Sequence, residues 1–303
     1  MLHARKSLPL NLNTAKKIAN RLKREVMFRG PFRLLTRRRH EALLAAHAPK
    51  LPRISDAAMG LVGELRTTGV LQRPISALEI AGTDQMLTGL ATLVSELRAL
   101  PANGNNAPRL PIERLLEIPE IYLWGLDQQL LDLVECYVGL PVHYHGADLR
   151  REIADGVTND VRQWHVDAED HRMFKIIAYL NDVTEVGGPF EYMTRQTTER
   201  AARALRYVSG FVPDPSMEKV MPRQDWHAAT GPSFTANLAD TCAVFHRARP
   251  PTSVDRYSVT FSWTSRRPMK TYASMPMVQE TYDSLMRRLS PRQRECVPRR
   301  TRP

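Results

Sequence analysis

The chain reads as an α+β protein, with a helical first half and a second half built of short strands in a sandwich or barrel. Three observations point there. Apolar residues recur at helical spacing through much of residues 41–138. From Pro141 onward the texture shifts to short runs rich in β-branched and aromatic residues, separated by Gly, Pro and Asn turns. With 303 residues and 43% hydrophobic content there is ample material for a sizeable core.

Charge is unevenly placed. Residues 1–40 hold twelve Lys/Arg against one acid, Glu25, and residues 287–303 hold seven Arg against one acid, Glu295. The remaining 24 basic and 30 acidic residues leave the body acidic, although the whole chain carries +11. A basic stripe interleaved with stacking aromatics is missing from that body, which argues against nucleic acid as its partner. Cys136, Cys242 and Cys296 are far apart and in no C-x-x-C pair, which fits a reducing compartment and no cysteine-based metal site. A cytoplasmic location is the expectation, with no transmembrane segment and no secretory signal.

Residues 13–28 read as a basic amphipathic helix, Ile18, Leu22 and Val26 recurring among Lys and Arg. Such a helix packs a thin stripe on the body, touches an anionic membrane surface weakly, or serves as an organelle transit peptide. Helices follow, broken by Pro49, Pro52 and Pro74. One is expected over Met59–Thr67, with Leu61, Val62 and Leu65 on its apolar face. Another is expected over Asp84–Leu97, where Met86, Leu87, Leu90, Leu93, Val94 and Leu97 repeat. Residues 101–108 form a loop dense in turn formers, and 126–138 give one more helix, ending before Gly139. Strands are then expected at 142–145, 172–180, 190–192, 241–246 and 256–264. A helix over Thr197–Val208 and a Pro-rich, irregular stretch over 209–234 lie between them.

Chemistry gathers around Trp164-His165-Val166-Asp167. Alternate residues of an extended chain point to one side, so His165 and Asp167 can aim a nitrogen and a carboxylate oxygen at one point. A third ligand would complete the two-His-one-carboxylate face that suits non-haem Fe(II). His246, at the end of the run Thr241–His246, is the candidate. Ten residues later, strand parity puts Arg256, Ser258, Thr260 and Ser262 on one face and Tyr257, Val259, Phe261 and Trp263 on the other. A face with one Arg and three hydroxyls is poor material for a dry core and good material for holding a carboxylate; the bland alternative is a solvent-facing side.

Together, H-x-D, a His 79 residues after Asp167, and Arg-x-Ser ten residues beyond resemble the Fe(II)/2-oxoglutarate-dependent dioxygenases. Trp164 before the motif, Lys175 on the following strand, Leu180-Asn181-Asp182-Val183 and Gly188-Pro189-Phe190 resemble the phytanoyl-CoA dioxygenase-like branch. The likeness covers about 140–265 well and 60–140 vaguely. The sequence departs from it at Tyr192–Thr197, where many relatives carry Pro-Gly-Ser-His, so the substrate loop is not carried over.

The resemblance implies a double-stranded β-helix, a cupin-like jelly-roll, with a helical N-terminal region packed against it. The domain limits expected are a basic extension at 1–40, a helical region at 41–140 that forms one domain with a core at 141–270, and a C-terminal helix with a basic tail at 271–303. It also implies that His165, Asp167 and His246 are the catalytic metal ligands, that Arg256 with Ser258 binds the distal carboxylate of 2-oxoglutarate, and that O2 is the second cosubstrate. The reaction implied couples oxidative decarboxylation of 2-oxoglutarate to hydroxylation, or a related oxidation, of a small or medium organic substrate. Halogenating relatives replace the carboxylate ligand with a small residue, so Asp167 favours hydroxylation or a related oxidation.

Lys175 and Tyr179 share a parity face with Met173 and Ile177 and are candidates for cosubstrate or substrate contact; the alternative for Lys175 is a snorkelling surface side chain. His171 and His227 read as ordinary surface or loop residues, and His143 and His145 as minor candidates for substrate contact. Residues 194–235, between the metal motifs, are a candidate substrate-binding segment. Two other functions fit parts of the pattern. A zinc or other metal-dependent cupin-type hydrolase or isomerase would use the same triad without needing Arg256-x-Ser258. A non-catalytic metal-binding module would dock its basic ends on a membrane or an acidic partner.

Overall fold

The structure is a computed structural model and describes residues 30–270 and 277–299, with side chains from residue 34 onward. The expected helix at 13–28 lies outside the described residues.

Helices come first in the chain. α1 spans Gly30–His47 and α2 Asp56–Thr68. The Ser55 hydroxyl accepts the Ala58 N–H and so caps α2, and Gly69 ends it at φ +86°. Any Cβ at Gly69 would sit 2.4 Å from Val244, so both backbone and space demand glycine there. Strand β1, Val70–Pro74, leads to α3, Thr83–Ala99, whose Met86, Leu90, Leu93 and Leu97 are fully buried. The short helices α4, Ile112–Leu116, and α5, Pro119–Trp124, precede α6, Gln128–Val138. The Asp127 carboxylate caps α6 by accepting from the Gln129 and Leu130 N–H groups.

The second half supplies the remaining sheet elements: β2 Val142–Glu152, β3 Phe174–Tyr179 and β4 Phe190–Tyr192. Helices α7, Arg195–Ala204, and α8, Asp214–Glu218, intervene before β5 His227–Ala229, β6 Thr235–Asp240, β7 His246–Ala248 and β8 Arg256–Ser265. Helices α9, Gln279–Arg288, and α10, Pro291–Cys296, close the described chain. All strand pairs among the described residues are antiparallel. Five strands form one sheet in the order β1-β6-β3-β8-β2, and three form another in the order β5-β4-β7.

The two faces of the large sheet differ in chemistry. Tyr257, Val259, Phe261 and Trp263 of β8 join Phe174, Ile176 and Leu238 in a continuous apolar cluster with Leu65, Leu90, Leu93, Leu131 and Val134 of the helices, and with Leu285 and Cys296 of α9 and α10. The opposite side carries Val70, Ile177 and Ala239, which meet Phe190 and Ala229 of the small sheet and Val244. A third cluster lies under the insertion between β4 and β5, where Trp164, Met193, Ala201, Met217, Met221 and Phe245 pack together.

Two expectations are corrected. Residues 241–246 are not one strand. β6 ends at Asp240, 241–245 are a turn, and His246 opens β7 in the other sheet. The apolar run misleads because its members leave in different directions, Val244 into the inter-sheet cluster and Phe245 into the cluster under the insertion. Asp240 anchors this turn, accepting from the Tyr137 hydroxyl at 2.6 Å and from the Met173 and Cys242 N–H groups. The stretch 209–234 is also more regular than its prolines imply, since it holds α8 and β5.

Leu90 tests the helix–sheet core. Leu90→Ala leaves a cavity in a site with 0% exposure and is expected to cost about 2–5 kcal/mol. A denaturant titration reads this directly, and a loss below that range would show that the helices contribute little to the common core.

Candidate metal centre

The metal motif is a short extended segment paired on both sides. His165 and His246 exchange backbone hydrogen bonds, His165 N–H to His246 O at 3.1 Å and the reverse at 3.0 Å. Trp164 exchanges a pair with Val212 in the insertion, and the Asp167 N–H donates to Thr241 O at 2.9 Å. Two residues 81 positions apart are thereby locked directly opposite each other. Their rings lie 4.3 Å apart between centroids, with His165 8% and His246 5% exposed.

One ligand atom from each of His165, Asp167 and His246 lies within 4.8 Å of the others. The Nδ1–H of His165 donates to Gln163 O at 2.8 Å and that of His246 to Val244 O at 3.1 Å. Both imidazoles therefore present a bare Nε2, at 3.6 Å and 3.8 Å from Asp167 Oδ1. Bond lengths of about 2.0–2.2 Å place neighbouring ligands on a metal roughly 3 Å apart, so a small side-chain closure suffices. Lys175 Nζ donates to the other carboxylate oxygen, Oδ2, at 2.7 Å, which leaves Oδ1 facing the imidazoles.

Protonation favours a cation as well. Burial, reinforced by the neighbouring His165, lowers the His246 pKa to about 3, and burial lowers that of His165. Burial alone would raise the Asp167 carboxyl, but Lys175 foremost, with the two imidazoles, holds it well below the usual carboxylate range. Two neutral imidazoles and an ionised carboxylate are the states in which these groups bind a metal. This donor set of two nitrogens and one oxygen fits the facial arrangement for non-haem Fe(II).

A cavity of about 240 Å³ runs from this cluster to Arg256. His165, Asp167, Lys175 and His246 line one part of it; Arg256, Ser258, Thr260 and Arg150 line another. Arg256 is 4% exposed, so the solvent-facing alternative for this strand side is ruled out. Its Nη1 donates to the Gly188 carbonyl, and its Nε is buried without a hydrogen-bond partner. Gly188 makes that contact possible. It sits at φ +67°, and a Cβ there would lie 2.5 Å from the Arg249 carbonyl oxygen and the Pro251 nitrogen.

Tyr179 is the site candidate that the structure does not bring to the cavity wall. Its hydroxyl donates to Ala229 O and accepts from the Phe190 N–H, so it ties β3 to the small sheet. Of the remaining histidines, His171 stacks on His40, the exposed His227 stacks on Tyr192, and His145 bonds the Thr264 hydroxyl.

Two buried arginines were not singled out by sequence reasoning. Arg162, 1% exposed, spends its guanidinium on Glu152, Asp155 and the carbonyls of Asn106, Ile153 and Val157. Arg247 follows His246 and points the other way. Its Nε donates to Glu191 at 2.5 Å and its Nη1 to Asp214. Its guanidinium also lies 4.8 Å from the Trp164 ring and 5.4 Å from that of Trp226. It thus joins β4, β7, the metal segment and the insertion. The available signal was parity, since a charged residue beside a ligand on a strand must face the opposite side.

No protein-family model matches the chain, and no curated protein matches it. Among solved structures, the chain is similar to HygX from Streptomyces hygroscopicus with nickel and 2-oxoglutarate bound, at 17% identity, 70% coverage of this chain, 88% of that one and a TM-score of 0.46. It is similar to EctD from S. alaskensis with bound Fe, at 17% identity, 72% and 79% coverage and a TM-score of 0.48. The non-heme alpha ketoglutarate dependent carbocyclase SnoK from nogalamycin biosynthesis gives 16% identity, 82% and 95% coverage and a TM-score of 0.49.

Replacing Arg247 with Met removes the cation that Glu191 and Asp214 share, while Glu191 keeps Arg249 at 3.1 Å. The expected cost is about 3 kcal/mol, with a shift in the tryptophan emission of the folded state. Unfolding curves and fluorescence spectra check this. A loss no larger than that of an exposed ion pair, about 1 kcal/mol, would mean that other contacts hold the insertion down.

Proposed function

We propose that the chain is a non-haem iron oxygenase that couples oxidative decarboxylation of 2-oxoglutarate to hydroxylation, or a related oxidation, of a small or medium organic substrate. The observation that carries this reading is the shared cavity. The His165–Asp167–His246 cluster opens onto the same chamber as a buried arginine flanked by hydroxyls. A zinc hydrolase has no use for the arginine, and a module that only stores a metal has no use for the chamber. The antiparallel sheets on either side of the cavity support a double-stranded β-helix of the jelly-roll kind. The common apolar cluster supports treating 41–270 as one domain.

In this reading His165, Asp167 and His246 hold Fe(II). Arg256 with Ser258 binds the distal carboxylate of 2-oxoglutarate, a guanidinium and a hydroxyl supplying convergent donors. Iron with 2-oxoglutarate and O2 supplies the oxidising power, yielding succinate, CO2 and an oxidised substrate. The chain's own residues position and exclude. Gln163 and Val244 carbonyls fix the imidazole tautomers, and Lys175 keeps Asp167 ionised and turned through one oxygen toward the histidines. Phe190, Ile177 and Ala248 give the cavity apolar walls that keep water from the reacting centre. A larger cavity of about 1220 Å³, lined by Val166, Asp167, Ala202, Tyr207 and Arg203, adjoins the metal cluster through Asp167 and offers room for the substrate.

Succinate release from 2-oxoglutarate in the presence of Fe(II) and O2 tests the reading. Wild type is expected to turn over slowly even without its substrate. His246→Ala and Asp167→Ala should each drop the rate at least a hundredfold, in line with loss of a metal ligand or its support. Turnover that survives both substitutions would remove this site from consideration.

A further inference from the structure

The strand register writes out the polar end of the smaller cavity. Across the β2–β8 pair, Asp148 stands opposite Thr260, Arg150 opposite Ser258, and Glu152 opposite Arg256. Residues two apart in a strand share a face. Asp148, Arg150 and Glu152 therefore form a row beside Thr260, Ser258 and Arg256. Except for Glu152, all of these line the cavity.

Glu152 explains how two guanidiniums come to lie together. Its Oε1 is 3.8 Å from Arg150 Nη1 and 3.9 Å from Arg256 Nη2, and its Oε2 accepts from Arg162 at 3.0 Å. Burial alone would raise its pKa, yet Arg256, Arg150 and Arg162 outweigh that and lower it, so it is an ionised counter-charge under the pair. Arg256 has its Nη1 on the Gly188 carbonyl, which leaves the unpartnered Nε and the Nη2, 3.9 Å from Glu152 Oε1, as the edge it can turn to a ligand. A carboxylate has two oxygens and about four lone-pair sites to satisfy. The Ser258 hydroxyl supplies one further donor, and the next cation on that face is Arg150, on the neighbouring strand beside Ser258.

We propose that Arg150 is a second anchor for the distal carboxylate of the 2-oxo acid, which is held between the Arg150 and Arg256 guanidiniums over Ser258. The proposal rests on the reading of the cavity as a 2-oxo acid site. It assigns a binding role to a residue outside the H-x-D, His and Arg-x-Ser pattern. It also makes the length of the dicarboxylate a matter of reach between the metal cluster and a two-arginine clamp.

The experiment is calorimetric titration of the Ni(II)-loaded full chain with 2-oxoglutarate and, separately, with oxalate. Oxalate can chelate a metal through two oxygens but has no distal carboxylate. Arg150→Met is expected to weaken 2-oxoglutarate binding at least tenfold and to leave oxalate binding within twofold of wild type. Arg150→Lys, which keeps the charge but not the fork, should fall between. It carries the same comparison if the methionine variant does not fold. Unchanged 2-oxoglutarate affinity in a folded variant overturns the proposal alone, and so does equal weakening toward both ligands, which marks a structural role. Wild type that binds oxalate but not 2-oxoglutarate overturns the 2-oxo acid reading itself, and this proposal with it.

Discussion

The pair of backbone hydrogen bonds between His165 and His246 is the constraint on which the site depends. Side chains can adjust by rotation, but a ligand triad drawn from two distant segments needs those segments held opposite each other. Here that is done by main chain, which is insensitive to the residues on either side. Tyr207 and Val212 extend the restraint, since the tyrosine hydroxyl accepts from the Val166 N–H and Val212 pairs with Trp164. The insertion between β4 and β5 is thus fastened to the metal segment by its own backbone.

Around that constraint the protein buries many charges, and each cluster carries its own counter-charges. Asp167 has Lys175, Glu152 has three arginines, and Arg247 has Glu191 and Asp214. Isolated buried charges of this kind would cost several kcal/mol apiece, so their assembly in pairs and triads is a condition of folding. The apolar outer face of the five-stranded sheet makes the arrangement affordable, because Tyr257, Val259, Phe261 and Trp263 give the same strand a fully packed side.

Much of this was legible because strand periodicity is strict. The division of β8 into a polar and an apolar side follows from alternation alone, and so do the helix faces at Met86–Leu97 and the glycine that ends α6. What was not legible depends on contacts between distant parts of the chain. Arg150 looks like one of many arginines until β2 is laid against β8. Arg247 looks like a surface charge until Asp214 and Trp226 are folded over it. Parity groups Tyr179 with Lys175, yet its hydroxyl bonds Ala229 and Phe190 of the small sheet, a destination that only the second sheet defines. The run 241–246 misled for a related reason. Hydrophobicity reports that residues are buried but not that successive ones are buried in different places.

That turn has a consequence for how the chain tolerates change. His246 and Arg247 are adjacent and occupy opposite sides of β7, one in the metal cluster and the other beside the Trp164 and Trp226 rings. The five residues from Thr241 to Phe245 act as a spacer whose length decides which side each one takes. Exchanging Cys242 or Ala243 for another small residue leaves that spacing alone. Deleting a single residue would shift β7 by one step, bringing the Arg247 guanidinium to the metal ligands and moving the His246 imidazole off that side.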